Sequence, residues 1–111
     1  MPAKAGISCG GAYHRPMRGG WLYIMTNRRG GVLYAGVTAN LAARIDQHRS
    51  DRGSAFCRQY GLHRLVFAER FATIEEAIAR EKQVKAWRRA WKIALIEQAN
   101  PDCADLFERI V

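Results

Sequence analysis

The sequence predicts a small α/β domain in which a short three-stranded sheet is flanked by helices. Three observations carry that reading. Two aromatic and β-branched runs, Trp21 to Met25 and Val32 to Val37, are separated by the turn-forming cluster Thr26-Asn27-Arg28-Arg29-Gly30-Gly31, which is the pattern of a hairpin. A third alternating run lies from Leu65 to Phe71. After Thr73 the apolar residues change to helical spacing. With 111 residues the chain has room for a single core.

Residues 1–19 are rich in glycine, small and basic residues without hydrophobic period, and read as a disordered tail ahead of a domain over 20–111. They contain no apolar stretch of the kind a secretory signal needs, and Met17 is an alternative start. In the second strand Gly36 offers a backbone that another group can approach closely. Thr38 or Asn40 caps a helix running to about His48 and anchored by Leu41 and Ile45. Ser50 to Ser54 reads as a loop, and Ala55 to Tyr60 as a short helical piece ended by Gly61. Thr73 caps the next helix, whose core face is expected to hold Ile74, Ala77, Ile78 and Val84. Trp87, Trp91 and Leu95 form an apolar line offset from that face, so a break is expected near Arg88-Arg89 although no proline or glycine lies there. Asn100-Pro101 stops the last long helix, and a final turn follows around Asp105 to Glu108.

Composition narrows the functions. Eighteen Lys and Arg against ten Asp and Glu give a net charge of +8 and a pI near 10.0, a balance that favours polyanions, nucleic acid first among them. Apolar runs are too short for a membrane span. Cys9, Cys57 and Cys103 are odd in number and widely spaced, and His14, His48 and His63 show no metal-ligand spacing. Reduced thiols in a cytoplasmic protein fit this pattern.

Glu81 falls three residues after Ile78, on the core side of its helix. An ionised carboxylate there must be paired, protonated or bound to a metal, since burial without a partner is expensive. A buried Glu–Arg ion pair is the structural alternative. In the preceding helix Arg44 and His48 project from one face, a cationic fork beside an imidazole, which suits a phosphate. Tyr23 and Tyr34 lie in paired strands and can meet on one sheet face, as core residues or as site residues. Lys82, Lys85, Arg88, Arg89 and Lys92 crowd the helix pair. Some must point to solvent, where they would track a nucleic-acid backbone.

The ordered set of Trp21-Leu22-Tyr23, Tyr34-Ala35-Gly36, Arg44 with His48, Glu81 and Asn100-Pro101 resembles the GIY-YIG nuclease domain, specifically its small stand-alone bacterial members, over roughly residues 20–108. The first motif keeps only its tyrosine, Ala35 replaces an isoleucine, and Cys103 falls where relatives often carry tryptophan. The resemblance implies a small GIY-YIG fold and a metal-dependent endonuclease. It makes Tyr23, Tyr34, Arg44, His48 and Glu81 catalytic, Glu81 the metal ligand, and Gly36 and Asn100 structural supports. Mg²⁺ is the implied cofactor, with Mn²⁺ as an alternative. The implied substrate is DNA, structured or single-stranded, in repair or recombination, with RNA as the alternative partner. A noncatalytic nucleic-acid-binding module on the same fold is the competing reading.

Overall fold

The computed structural model describes residues 19–50 and 55–107. Nearly all of the expected tail, the end of the Ser50–Ser54 loop and the close of the last turn lie outside the described residues. Strands β1 (Gly20–Thr26), β2 (Leu33–Thr38) and β3 (Arg64–Phe71) form one antiparallel sheet in the order β2-β1-β3. Helices α1 (Leu41–Arg49) and α2 (Ala55–Tyr60) come between β2 and β3, and α3 (Ile74–Ala86) and α4 (Arg89–Ala99) follow. The expected three-stranded α/β architecture is the one observed.

Alternation along β1 divides the core into two layers. Tyr23 and Met25 face one side, with Leu41, Ile45, Cys57, Leu62 and Leu106. Leu22 and Ile24 face the other, with Val84, Leu95 and Ile96. A bulge opposite Ile24 and Met25 leaves Val66 without a partner in β1 and turns both Val66 and Phe67 into the second layer. Each large apolar side chain so buried contributes about 1.5–3 kcal/mol relative to exposure.

Local chemistry sets the helix ends. The Asn40 side chain accepts from Ala43 N at 3.2 Å, while Thr38 Oγ1 accepts from Asn40 N at 3.1 Å; the cap is therefore Asn40, with Thr38 holding it. Thr73 and Glu76 form a reciprocal capping box at the start of α3. That helix lies deep on β1, because Gly20 has no side chain: a Cβ there would come within 2.6 Å of Ile74 Cδ1. The break expected near Arg88-Arg89 is present. Trp87 and Arg88 are both extended (ψ 152° and 157°), and Trp87 packs into the second layer. Two apolar positions differ from expectation. Ile78 and Trp91 are 38% and 42% exposed, so the inward line of α3 runs through Ala77 and Val84, and Trp91 stacks on exposed charge instead of joining the core.

The end of the described chain closes β3. Leu106 N donates to Leu65 O at 2.8 Å and Leu65 N donates to Asp105 Oδ1 at 3.3 Å. Buried Asn100 donates through Nδ2 to Val66 O at 3.1 Å and to Ala104 O at 2.9 Å, and accepts from Ala104 N at 3.0 Å. One amide therefore satisfies the carbonyl that the bulge displaces and fixes the turn after α4.

Candidate active site

Four of the five expected catalytic side chains meet on the α1 face of the sheet. Register places Tyr23 opposite Gly36 and Met25 opposite Tyr34, so the two tyrosines are diagonal neighbours, with ring centroids 6.3 Å apart. The Tyr23 phenol crosses over Gly36, where a Cβ would sit 2.6 Å from its hydroxyl oxygen and 2.7 Å from Cζ. From α1, His48 brings Nε2 to 2.9 Å from the Tyr23 hydroxyl, and its ring lies 5.6 Å from both tyrosine rings. One turn earlier Arg44 donates from Nε to the Tyr23 hydroxyl at 3.4 Å and from Nη1 to Gln47 Oε1 at 3.1 Å. Leu41 and Ile45 bury the same face of α1 and set its depth.

Burial decides the protonation states. His48 is 1% exposed; desolvation, reinforced by Arg44 and His63, lowers its pKa to about 4. Tyr23 is equally buried, and desolvation raises its pKa to about 12 against the opposing pull of Arg44. Near neutral pH the cluster therefore holds a neutral imidazole, a neutral phenol and one guanidinium, which the bond to Tyr23 keeps protonated. A His48 beside Arg44 on an open phosphate-binding face is not what forms: the imidazole lies beneath the tyrosines, and Arg44 alone is partly exposed.

Glu81 is separate from these four. It sits on α3 between Ala77 and Val84, and α3 covers the opposite sheet face. Its side chain is 19% exposed, and Oε2 lies 3.2 Å from Lys85 Nζ, so its partner is an exposed lysine one turn on. The two faces communicate around β2, which is an edge strand. An open groove of about 280 Å³ there is lined by Tyr34 and Phe56 from one side and by Val84, Lys85 and Lys92 from the other. Among the described residues no three His, Cys, Asp or Glu side chains converge on a metal-sized site. A single carboxylate whose cationic partner is an exposed lysine still suits Mg²⁺, which keeps most of its waters and completes its shell from substrate phosphate.

The basic residues divide by what holds them. Lys82, Lys85 and Arg88 are exposed, Arg88 lying over Trp91 at 5.5 Å, and Lys92 lines the groove. Arg89 instead donates from Nη2 to the carbonyls of Gly30 and Gly31, tying α4 to the hairpin turn.

Comparison with known proteins settles the family. The GIY-YIG catalytic-domain family model matches residues 19–94, which is most of the chain and all of β1 through the start of α4. The chain belongs to the GIY-YIG family. That family is a nuclease superfamily acting on nucleic acid. Among similar proteins, a UPF0213 protein of Staphylococcus haemolyticus is 35% identical over 66 residues, covering 60% of this chain and 80% of the relative. A UPF0213 protein of Bacillus pumilus is 38% identical over 68 residues, covering 61% and 69%. The solution NMR structure of a UPF0213 protein from Bacillus halodurans is 31% identical, covers 76% of this chain and 88% of that one, and superposes with a TM-score of 0.50. Tyr23 and Tyr34 both lie within the matched span, in β1 and β2, and no described helix is long and apolar enough to cross a membrane.

Sequence reasoning passed over three residues of this region. Gln47 holds the Arg44 guanidinium, and Phe56 and Tyr60 extend the ring contacts of Tyr34 outward. Gln47 stands three residues after Arg44, a spacing that signals contact on a helix. Phe56 and Tyr60, four residues apart, carry the same signal for each other, but their link to Tyr34 joins distant segments and no local spacing reveals it.

Proposed function

We propose that this GIY-YIG domain is a metal-dependent endonuclease that hydrolyses phosphodiester bonds in DNA, structured or single-stranded, in cytoplasmic repair or recombination. The observation that supports it most is the convergence of Tyr23, Tyr34, Arg44 and His48, with only Arg44 and Tyr34 left partly exposed. Arg44 binds the scissile phosphate and neutralises charge that builds on its oxygens. Tyr23 is too weak an acid to act as base near neutral pH; it shares one proton with His48 Nε2 and positions Arg44. Tyr34, packed on His48 and partly exposed, would act as phenolate, its own proton having left to bulk solvent, and take the proton from the attacking water. Glu81 would hold Mg²⁺ or Mn²⁺ at the β2 edge, releasing Lys85 to the substrate backbone. Such an ion would supply polarisation of the phosphate and stabilisation of the leaving oxygen.

Glu81→Gln tests the reading. Cleavage of a DNA panel with Mg²⁺ or Mn²⁺ is expected to vanish while the melting temperature stays close to that of the native protein. Glu81 is only in a surface-type pair with Lys85, which stabilises by roughly 0–1 kcal/mol. Undiminished cleavage removes Glu81 from the metal site. Absence of cleavage in the native protein, with retained DNA affinity, favours a noncatalytic binding module.

A further inference from the structure

Tyr34 begins an aromatic series that runs out of the catalytic cluster. Its ring lies 6.0 Å from that of Phe56, tilted 30°, and Phe56 lies 4.9 Å from Tyr60. Both α2 aromatics are 43% exposed, unusual for large apolar side chains on so small a helix. Neither is needed by the core layers, and neither takes part in the proton and phosphate chemistry assigned to the cluster. Phe56 walls the groove along β2 with Tyr34, and across it stand Val84, Lys85 and Lys92. One side of the groove is therefore a π-surface and an apolar floor, the other a pair of ammonium groups. A nucleotide has the complementary shape, a flat apolar face beside an anionic phosphate. A duplex cannot offer this, because its base faces are covered by their neighbours.

We propose that Phe56, backed by Tyr60, is a stacking subsite for one unpaired nucleobase of the substrate strand, with Lys92 on the adjoining phosphate. The subsite rests on the nuclease reading of the neighbouring cluster. Tyr34 joins the two, so the stacked base belongs to a nucleotide close to the scissile phosphate. Stacking recognises any base by its face, and the subsite selects a base out of its stack without selecting sequence.

The test is a cycle of binding measurements in EDTA, using the native protein and Phe56→Ala against a DNA oligonucleotide and a set carrying one abasic residue at successive positions. Removing a base–aromatic stack of about 1–3 kcal/mol corresponds to a loss of roughly 5- to 150-fold. Phe56→Ala is expected to show a loss in that range on the intact oligonucleotide. For the abasic residue at one position, the native protein and Phe56→Ala should bind alike. Phe56→Trp should restore affinity, which separates stacking from any change in folding. Equal losses on every abasic oligonucleotide, or native affinity in Phe56→Ala, overturn the subsite. So does a Phe56-dependent dimer with unchanged DNA affinity, which would mean that a second copy fills the groove. If the cycle behaves as expected but no phosphodiester is cleaved, the nuclease reading fails and the subsite stands. If cleavage occurs but the cycle is additive, the subsite alone fails.

Discussion

Replacing Gly36 with alanine should destabilise the domain through Tyr23. Two effects compete. Alanine in a strand interior gains about 0.5–1 kcal/mol over glycine from chain entropy. Against this, the new Cβ would lie 2.6 Å from the Tyr23 hydroxyl oxygen, 2.7 Å from Cζ and 3.1 Å from Cε1. An exposed phenol would swing aside at little cost. Tyr23 is 1% exposed and held between Tyr34, His48 and the first core layer, so it has nowhere to go without moving them. Overpacking of this kind costs about 1–3 kcal/mol, and displacing the hydroxyl from His48 forfeits a buried hydrogen bond that contributes about 1 kcal/mol. The net loss is about 2 kcal/mol, equivalent to a fall of roughly 10 °C in melting temperature for a domain of this size. Thermal and urea unfolding followed by circular dichroism measure it directly. In a Tyr23→Phe background the hydrogen bond is already gone, so Gly36→Ala should lose about 1 kcal/mol less. A Gly36→Ala protein as stable as the native one, or identical losses in both backgrounds, would refute the close approach of the phenol to this strand.

Stability should form a plateau in pH bounded by the two buried groups. His48 titrates near 4 when folded against 6.5 when unfolded, so its contribution is present above pH 6.5 and disappears as pH falls towards 4, a change of about 3 kcal/mol. Tyr23, raised from 10.0 to about 12, contributes below pH 10 and loses that contribution as pH rises towards 12. Glu69 is shifted upward by burial and works in the opposite sense to His48 on the acid side, so the His48 share is read as the difference between native protein and His48→Gln. A difference independent of pH between 4 and 6.5 would show that the imidazole titrates normally. On the basic surface, Arg88→Gln should flatten the dependence of log DNA affinity on log salt by about one unit, for each phosphate it contacts, with stability unchanged. Arg89→Gln should instead lower stability by about 1 kcal/mol, because its side chain binds the hairpin carbonyls; the reverse pattern in salt titrations and melts would exchange their roles.

Much of the fold was legible because local chemistry repeats in short windows. The period-two runs gave all three strands, Thr73 announced its cap while the first cap was narrowed to Thr38 or Asn40, and the shifted apolar line after Val84 exposed the break at Arg88 that no proline marks. The tyrosine pair and the Arg44–His48 spacing likewise predicted neighbours that the structure brings together. Helical period, however, says which side of a helix faces inward, never which side of a sheet it covers. Glu81 was therefore recognised as inward-facing while its place on the opposite face from the tyrosines was invisible. The depth of His48 depends on how far α1 sinks over Gly36 and Tyr23, a contact between distant segments. Ile78 and Trp91 follow apolar spacing yet stay 38% and 42% exposed, Trp91 beneath the Arg88 guanidinium instead of in the core.

The closure of β3 by residues 105 and 106 makes the sheet asymmetric. A sheet edge left open invites a foreign strand, and here residues 105 and 106 occupy the Leu65 end of one of the two. The other edge is β2, whose residues Tyr34 and Gly36 are part of the cluster. Any extended peptide or second copy that adds itself along β2 must do so across the tyrosine cluster. Lys85 and Lys92 stand beside that same edge. Charge is a common guard against edge-to-edge aggregation, and a guard made of lysine repels another copy of a +8 protein while admitting a polyanion.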